Sequence, residues 1–192
     1  MSHSVSSPEE FRADQGNIFL VGLMGAGKTS VGRMLAKRMH KDFYDSDVEI
    51  ESATGVKIPV IFDIEGEPGF RAREEKMIEK LAAMNNIILA TGGGAVLSTT
   101  NRSLLKKHGR VIYLRATPAD LWRRTRRDRN RPLLQTANPL ETLKTLHAQR
   151  DPLYAEIAAL IVDTGAQSVS TLASRIQQLL TEFGQRSNQA SV

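Results

Sequence analysis

The sequence predicts an α/β fold with three layers, in which helices cover both faces of a five-stranded parallel sheet. Five short apolar segments alternate with segments of helical periodicity along the 192 residues. Such alternation is typical of parallel sheets with right-handed crossovers. The run Ile87–Ala90 is apolar at every position, as expected of a strand that is covered on both faces.

A glycine-rich loop follows the first predicted strand, Asn17–Val21. Residues 22–29 fit the phosphate-binding pattern of two glycines separated by four residues and followed by Lys and Ser or Thr. The phosphates of a nucleotide need inward-pointing backbone N–H groups, and a loop with few side chains can close around them. Lys28 is placed to reach the β- and γ-phosphates, and the Thr29 hydroxyl can bind the Mg²⁺ between them. Residues 30–39 then show the apolar spacing of a helix.

Two carboxylates end the second predicted strand, residues 41–47. Asp45 and Asp47 should lie beside the phosphate-binding loop, because ligands of open α/β sheets collect at the carboxyl ends of the strands. A purely structural interpretation is that Asp47 caps the helix that begins at Val48. We expect Asp47 to do both, and we expect Gly55 to end that helix.

The middle of the chain is predicted to hold two helices and the third strand. The first helix covers residues 58–64, residues 66–69 break the chain, and a longer helix covers residues 70–84. The third strand is followed by Gly92, Gly93 and Gly94, where many phosphate-binding enzymes carry an acidic residue that organises Mg²⁺. Three glycines either let the backbone approach a ligand or form a flexible turn.

The second half continues the alternation. A helix is predicted at residues 101–108, a strand at 110–114, and a helix that begins after Thr117 with Pro118 in its first turn. A further helix should run from residue 139 to Arg150, where Pro152 ends it. The fifth strand is predicted at 160–163 and the last helix at 170–183.

Composition indicates one domain. We expect residues 1–15 to be a disordered tail, residues 16–184 to form the domain, and residues 185–192 to be a second tail.

The N-terminal segment is polar and contains acids, so it resembles neither a secretory signal nor a transit peptide. No apolar stretch is long enough to cross a membrane. The sequence has no cysteine, which excludes disulfides and thiolate metal sites. We therefore expect a cytoplasmic protein without a membrane partner.

The charge of the chain is concentrated in one segment. The formal net charge is +5, and six arginines fall between Arg123 and Arg131. A nucleic-acid site would be expected to interleave aromatic residues for base stacking, and only Trp122 lies nearby. The cluster therefore favours a small anionic ligand, and we expect no nucleic-acid partner. The polar segment of about residues 126–138 is predicted to be a mobile lid.

Several separated motifs together make the chain similar to the shikimate kinases, a family within the phosphate-binding-loop kinases. The resemblance covers about residues 17–183. It rests on the loop at 22–29, the pair of acids at 45 and 47, the run from Ile61 to Glu74, the three glycines, and two later segments at 131–134 and 150–154. The family implies a kinase fold with ATP as co-substrate and Mg²⁺ as metal.

The resemblance also implies roles for individual residues. Lys28, Asp47 and Arg131 would act in catalysis, and Thr29 and Asp45 would hold the metal. The nucleotide contacts would be Gly22, Gly25, Ala26, Gly27, Lys28, Thr29, Ser30, Arg124, stacked on adenine, and Arg131, reaching from the lid. The shikimate contacts would be Asp47, Ile58, Phe62, Phe70, Arg71, Gly92, Gly93, Gly94 and Arg150, with the two arginines gripping the carboxylate.

The implied reaction is transfer of the γ-phosphoryl group of ATP to the 3-hydroxyl of shikimate, a step of chorismate and aromatic amino acid biosynthesis. We expect a monomer. One alternative is a kinase for another small polar acid such as gluconate. A second alternative, from a different class, is an RNA-binding protein with a vestigial nucleotide site, and the presence of Lys28, Thr29 and Asp47 argues against it.

Overall fold

The computed structural model describes residues 16–126, 134 and 136–189, with side chains described as far as residue 185. Within them lie five strands: β1 Asn17–Val21, β2 Asp42–Asp45, β3 Ile87–Ala90, β4 Gly109–Arg115 and β5 Leu160–Asp163. The α-helices are α1 Lys28–Met39, α2 Ser46–Thr54, α3 Ile58–Ala82, α4 Thr99–His108, α5 Pro118–Thr125, α6 Pro139–Ile157 and α7 Val169–Gln189. A 3₁₀ turn covers Ala95–Leu97.

The sheet is parallel throughout, in the order β2-β3-β1-β4-β5. Leu20 of the central strand lies opposite Ala90 on one side and Ile112 on the other. Every residue of β1 and β3 is buried, because both faces of the sheet are covered by helices. The predicted five-stranded α/β fold is confirmed.

The helices form two packed groups. Helices α1 and α7 pack against each other, whereas α3, α4, α5 and α6 form a second connected group. Leu35 of α1 and Ile176 of α7 are fully buried in the core cluster that contains the strands. This packing leaves the carboxyl ends of β1, β2 and β3 side by side, where the loops that follow them can build one site. Among the described residues, no helix combines the length and apolarity needed to cross a bilayer.

The predicted cap of α2 is wrong. The helix begins at Ser46, and the Asp45 side chain caps it by accepting a hydrogen bond from the Asp47 backbone N–H at 3.1 Å. The helix therefore begins two residues earlier than predicted, because Asp45 already has the extended backbone of a cap residue. Asp47 lies in the first turn, and its side chain is left for another contact. Gly55 ends the helix in a left-handed conformation, as predicted.

The predicted break of four residues in α3 is shorter in the structure. Only Gly66 leaves helical geometry, with φ 69° and ψ −178°, and the helix resumes at once with Pro68 in its new first turn. An ion pair of 2.6 Å between Glu65 and Arg73 spans the kink. The helix ends at Ala82, two residues before the predicted end.

The predicted end of α6 at Arg150 is wrong. The helix passes through Pro152 and continues to Ile157. A proline inside a helix costs about 3 kcal/mol or more, because it removes a hydrogen bond and crowds the preceding turn. Burial of Tyr154 and Ile157 in the core offsets this cost, since both side chains are removed from water only if the helix continues.

The last helix is longer than predicted. Helix α7 continues past Phe183 to Gln189, so the predicted tail at 185–192 is partly helical. Leu180 and Gly184 are both buried, one helical turn apart, and this face prolongs the packing against the rest of the molecule. The predicted N-terminal tail, residues 1–15, lies outside the described residues.

Candidate active site

The phosphate-binding loop joins β1 to α1 and is held against α5. Gly25 has φ 80°, and a Cβ atom there would lie 2.6 Å from Thr125 Cγ2, so a larger residue would strain the loop and push it off the helix. Within the loop, the backbone N–H of Ala26 donates a hydrogen bond to the carbonyl oxygen of Leu23 at 3.2 Å. The nucleotide contacts predicted between Gly22 and Ser30 thus lie in one compact turn at the N-terminus of α1, where the helix dipole favours an anion.

Lys28 lies across this loop. Its Nζ atom donates to the carbonyl oxygens of Gly22 at 2.7 Å and Leu23 at 3.0 Å. The ammonium group is therefore held at the mouth of the loop, where phosphate oxygens would meet it.

The two predicted Mg²⁺ ligands lie next to each other. The Thr29 hydroxyl donates to Asp45 Oδ2 at 2.7 Å. The two oxygen atoms that would bind Mg²⁺ therefore lie side by side. Mg²⁺ in kinases takes one or two protein oxygens and completes its shell with water and phosphate. This donor pair fits such an ion. Among the residues that the structure describes, no group of three or more His, Cys, Asp or Glu side chains is placed to hold a metal.

Two carboxylates meet above the first glycine after β3. A Cβ atom on Gly92 would lie 2.5 Å from Glu74 Oε1 and 2.7 Å from Asp47 Oδ1. Both oxygens are buried and have no hydrogen-bond partner within the described residues. Burial raises the pKa of Asp47 to about 7, with the charges of Asp45 and Glu74 adding to the rise and those of Lys28 and Arg71 opposing it. Burial also raises the pKa of Glu74, against the influence of Arg71.

Arg71 is oriented by two carboxylates on its own helix. Its Nη1 atom donates to Glu74 Oε2 at 2.7 Å, and its Nε and Nη2 atoms donate to Glu67 Oε1 at 3.2 and 2.9 Å. A guanidinium group carries five N–H donors, so two remain for a ligand. The guanidinium carbon also lies 5.2 Å from the centre of the Phe70 ring.

Arg150 approaches the same place from α6. Its side chain is 4% exposed, and its Nη1 atom donates to the Gly93 carbonyl oxygen at 3.1 Å. Its Nε atom is buried and makes no hydrogen bond within the described residues. Tyr154, one turn further along the helix, donates to the same carbonyl oxygen at 2.5 Å.

These groups line one cavity of about 790 Å³. One end is formed by the phosphate-binding loop and the other by the two arginines, with Asp47 between them. Ile58, Phe62 and Phe70 form the apolar wall, with the two phenylalanine rings 4.8 Å apart. The cavity lining includes these predicted residues: Gly25, Gly27, Lys28, Thr29, Ser30, Asp45, Asp47, Ile58, Phe62, Phe70, Arg71, Gly92, Gly93, Gly94 and Arg150.

Three predicted nucleotide contacts lie outside this lining. Gly22 and Ala26 belong to the loop but do not line the cavity, and Ala26 is buried. Arg124 donates to Gly25 O at 3.2 Å, to Thr164 Oγ1 at 3.1 Å and to the Gly165 carbonyl oxygen. It therefore joins the phosphate-binding loop to the loop after β5, at the nucleotide end of the site. Arg131 and most of the predicted lid lie outside the described residues.

Sequence reasoning gave no role to three side chains that shape the site: Glu74, Glu67 and Tyr154. Glu67 and Glu74 accept hydrogen bonds from Arg71, and Tyr154 donates one to the Gly93 carbonyl oxygen, so each orients another residue of the site. Glu74 also lines the cavity. The signal available for Glu67 and Glu74 was their helical spacing of four and three residues from Arg71. Tyr154 lies four residues after Arg150, which is also a helical spacing. This signal could not be used as long as the helix was predicted to end before Pro152.

Comparison with known proteins agrees with this geometry. The family model described as shikimate kinase matches residues 24–181. Among relatives named shikimate kinase, the one from Nitrosospira multiformis is 60% identical over 170 residues, 88% of this chain and 87% of that protein. The one from Thiobacillus denitrificans is 64% identical over 154 residues, 80% of this chain and 84% of that protein.

Comparison with solved structures also finds a shikimate kinase. The shikimate kinase from Acinetobacter baumannii in complex with shikimate is 47% identical, with a TM-score of 0.86, covering 90% of this chain and 95% of that chain. A gluconokinase from Sinorhizobium meliloti is 17% identical, with a TM-score of 0.62, and covers 94% of this chain and 99% of that chain. That second likeness extends to the fold alone. Because the family model spans most of the chain and the relatives cover at least four fifths of it, this chain belongs to the shikimate kinase family, the enzymes that use ATP to phosphorylate shikimate.

Proposed function

We propose that this protein transfers the γ-phosphoryl group of ATP to the 3-hydroxyl of shikimate, giving shikimate 3-phosphate and ADP. The observation that carries the proposal is the composition of this cavity. It places a phosphate-binding loop at one end and two guanidinium groups at the other, with a carboxyl group between them. A small acid with several hydroxyls, held beyond the γ-phosphate of ATP, matches this order of groups.

Arg71 and Arg150 would bind the carboxylate of the substrate. Arg71 has two N–H donors left after Glu67 and Glu74 are satisfied, and Arg150 has a buried Nε with no partner within the described residues. Charge-assisted hydrogen bonds from guanidinium forks are the strong, directional contacts that a carboxylate needs. The apolar wall of Ile58, Phe62 and Phe70 would face the carbon ring.

Asp47 accounts for the attacking hydroxyl. Its Oδ1 atom is buried in the cavity without a partner within the described residues, so it can accept a hydrogen bond from a substrate hydroxyl. Phosphoryl transfer has a loose transition state in most accounts, so positioning and charge neutralisation matter more than a strong base. Asp47 orients the hydroxyl first and takes its proton late.

Lys28 and a metal would neutralise the phosphates. Thr29 and Asp45 would hold Mg²⁺, which when bound supplies positive charge to the β- and γ-phosphate oxygens. Lys28 would give up its contacts with Gly22 and Leu23 for phosphate oxygens. Arg124 remains a prediction as the residue that stacks on adenine, and Arg131 as the residue that reaches the transferred group from the lid.

The decisive experiment is a coupled assay of ADP release with shikimate, gluconate and nucleoside monophosphates side by side, with and without Mg²⁺. We expect turnover with shikimate and Mg²⁺ and little with the others. Coupling between phosphorus and ring protons in the product's NMR spectrum identifies the hydroxyl that carries the phosphate. Equal or faster turnover of gluconate would contradict the proposal.

The assignment of this function leaves little room for the RNA-binding alternative. In the described part of the arginine cluster, Arg123 pairs with Asp120 at 2.7 Å and Arg124 is bonded to the two loops. Arg124 therefore serves the site, whereas Arg123 is paired with a neighbouring acid on its own helix. We also propose that the protein works as a cytoplasmic monomer, since the phosphate-binding loop, Asp47 and both arginines of the cavity do not need a residue from a second copy to complete the site. Light scattering of the purified protein tests whether it is a monomer. Fractionation of cells tests whether it is cytoplasmic.

A further inference from the structure

Tyr154 is a buried polar residue for which the reaction itself gives no role. Its side chain is fully buried, and its hydroxyl donates to the Gly93 carbonyl oxygen at 2.5 Å. Burial raises the pKa of Tyr154, against the charge and hydrogen bonding of the neighbouring Arg150, so the hydroxyl stays protonated at neutral pH and remains a donor. Tyr154 is 0% exposed and does not line the cavity, so it acts on the site through other residues.

The Gly93 carbonyl oxygen is shared with a residue that does line the cavity. Arg150 donates to the same oxygen from Nη1 at 3.1 Å. A carbonyl oxygen has two lone pairs, so Tyr154 and Arg150 together fill its capacity. Residues 150 and 154 lie one turn apart on one face of α6, which is possible only because the helix continues through Pro152.

We propose that Tyr154 is a positioning residue for substrate binding, which fixes the Gly93 carbonyl so that the donors of Arg150 and the backbone of residues 92–94 stay directed at the substrate carboxylate. This inference rests on the proposed function. Without the tyrosine hydroxyl, the Gly93 oxygen has a free lone pair, and Arg150, which already donates to this oxygen from Nη1, has further N–H groups that can turn to it. The guanidinium group would then be divided between the Gly93 carbonyl and the ligand.

The neighbouring Tyr113 provides a matched control. Its ring centre lies 4.9 Å from that of Tyr154, and its side chain is 1% exposed. Its hydroxyl donates at 2.8 Å to Asp151 Oδ1, not to the glycine loop. Tyr113→Phe and Tyr154→Phe therefore remove the same atom from adjacent buried rings, and only one of these atoms reaches the site.

The test compares shikimate binding and turnover in the full chain carrying each substitution. Tyr154→Phe should raise Kd and KM for shikimate about three- to tenfold, roughly the size of one lost hydrogen bond, while kcat and KM for ATP change less than twofold. Tyr113→Phe should leave all three kinetic constants within twofold of the parent. Both variants should lose thermal stability to a similar degree. Equal shikimate constants in the two variants would overturn the proposal.

A double-mutant cycle with Arg150→Lys separates positioning from a general structural effect. If Tyr154 acts through Arg150, Tyr154→Phe should change the shikimate Kd less than twofold in the Arg150→Lys background. A full three- to tenfold change in that background would show that Tyr154 acts independently of Arg150 and would reject the inference. Failure of the unmodified chain to bind shikimate by calorimetry would instead refute the proposed function.

Discussion

Asp47 is the acid whose protonation should control the reaction most directly. Its pKa is raised to about 7, chiefly by burial and then by the negative charges of Asp45 and Glu74. Only the ionised form can accept the proton of the attacking hydroxyl. Below pH 7, kcat/KM for shikimate should therefore fall about tenfold per pH unit, and it should level off above pH 8. A flat profile between pH 5.5 and 8 would be inconsistent with this role.

The same pKa predicts how stability depends on pH. The unfolded chain ionises Asp47 near 3.8, whereas the folded chain keeps the proton up to about 7. The folded state is therefore progressively destabilised as pH rises between these values, and the full effect is present above pH 7. Asp47→Asn removes the ionisation, so the variant should gain stability relative to the parent at pH 8 and gain less at pH 5. Urea unfolding at the two pH values measures this difference, and a larger gain at pH 5 would contradict the assignment.

Arg71 should not tolerate replacement by lysine. Its guanidinium group serves Glu67 and Glu74 at the same time and still has donors for a ligand. A lysine ammonium has three donors without a planar fork. Arg71→Lys should raise KM for shikimate at least tenfold, because a charge-assisted contact worth roughly 1.5 to 3 kcal/mol is weakened.

Arg73 is the matched control for this substitution. It lies two residues along the same helix and pairs with Glu65 on the outside of the kink, with 44% of its side chain exposed. Arg73→Lys should leave KM for shikimate unchanged. Steady-state kinetics of both variants at saturating ATP give the comparison, and equal increases in KM would show that the helix and not the Arg71 fork is responsible.

At the scale of elements, the three glycines after β3 can be explained by close approach of the backbone to other groups or by a flexible turn, and a substitution can distinguish the two explanations. Gly92 lies under both carboxylates, and a Cβ atom there would come within 2.7 Å of Glu74 Oε1 and Asp47 Oδ1. Gly92→Ala should push both side chains aside and lower kcat/KM for shikimate at least tenfold. Gly55→Ala is the control, because Gly55 has φ 72° and no atom within 4 Å of the added Cβ. That variant should lose about 1 kcal/mol of stability and keep its activity. Equal activities of the two variants would remove the close-approach argument.

The elements also show how far local pattern determines structure. The individual strands, the phosphate-binding loop and the cap of α5 at Thr117 were predictable, because each depends on residues that are neighbours in sequence. The parallel pairing of the strands was predictable from their alternation with helices. The Asp45 cap, the course of α6 through Pro152 and the length of α7 were not. The last two are decided by tertiary contacts, such as the hydrogen bond of Tyr154 with Gly93, 61 residues away. The Asp45 cap is a local hydrogen bond, but the extended backbone that it needs comes from the pairing of β2 with β3.

Most of the site residues named from the sequence line one cavity, but Gly22, Ala26 and Arg124 lie outside its lining. Arg71 is oriented by carboxylates on its own helix, whereas Arg150 is bonded to Gly93, 57 residues away.

At the scale of the whole molecule, the cavity has two ends that belong to different parts of the chain. The nucleotide end is built by the loop between β1 and α1, and the acid end by α3, α6 and the glycines after β3. Each ligand should therefore stabilise the folded chain independently of the other's binding residues. At one hundred times its Kd, a ligand contributes about 2.7 kcal/mol, which corresponds to a rise in Tm of roughly 5 to 11 °C for a domain of this size.

Two substitutions should separate these effects in thermal unfolding experiments. Lys28→Ala should abolish most of the rise in Tm caused by Mg·ADP and keep most of the rise caused by shikimate, because the ammonium group lies in the phosphate-binding loop and not among the groups that would bind the acid. Arg150→Ala should do the reverse. The free Arg150→Ala protein should also unfold at a lower temperature, since its buried guanidinium group is bonded to Gly93. The informative quantity is therefore the shift caused by ligand and not the absolute Tm. If either variant lost both shifts while remaining folded, the two ends would be coupled through the molecule, and the division of the cavity into independent nucleotide and acid ends would be wrong.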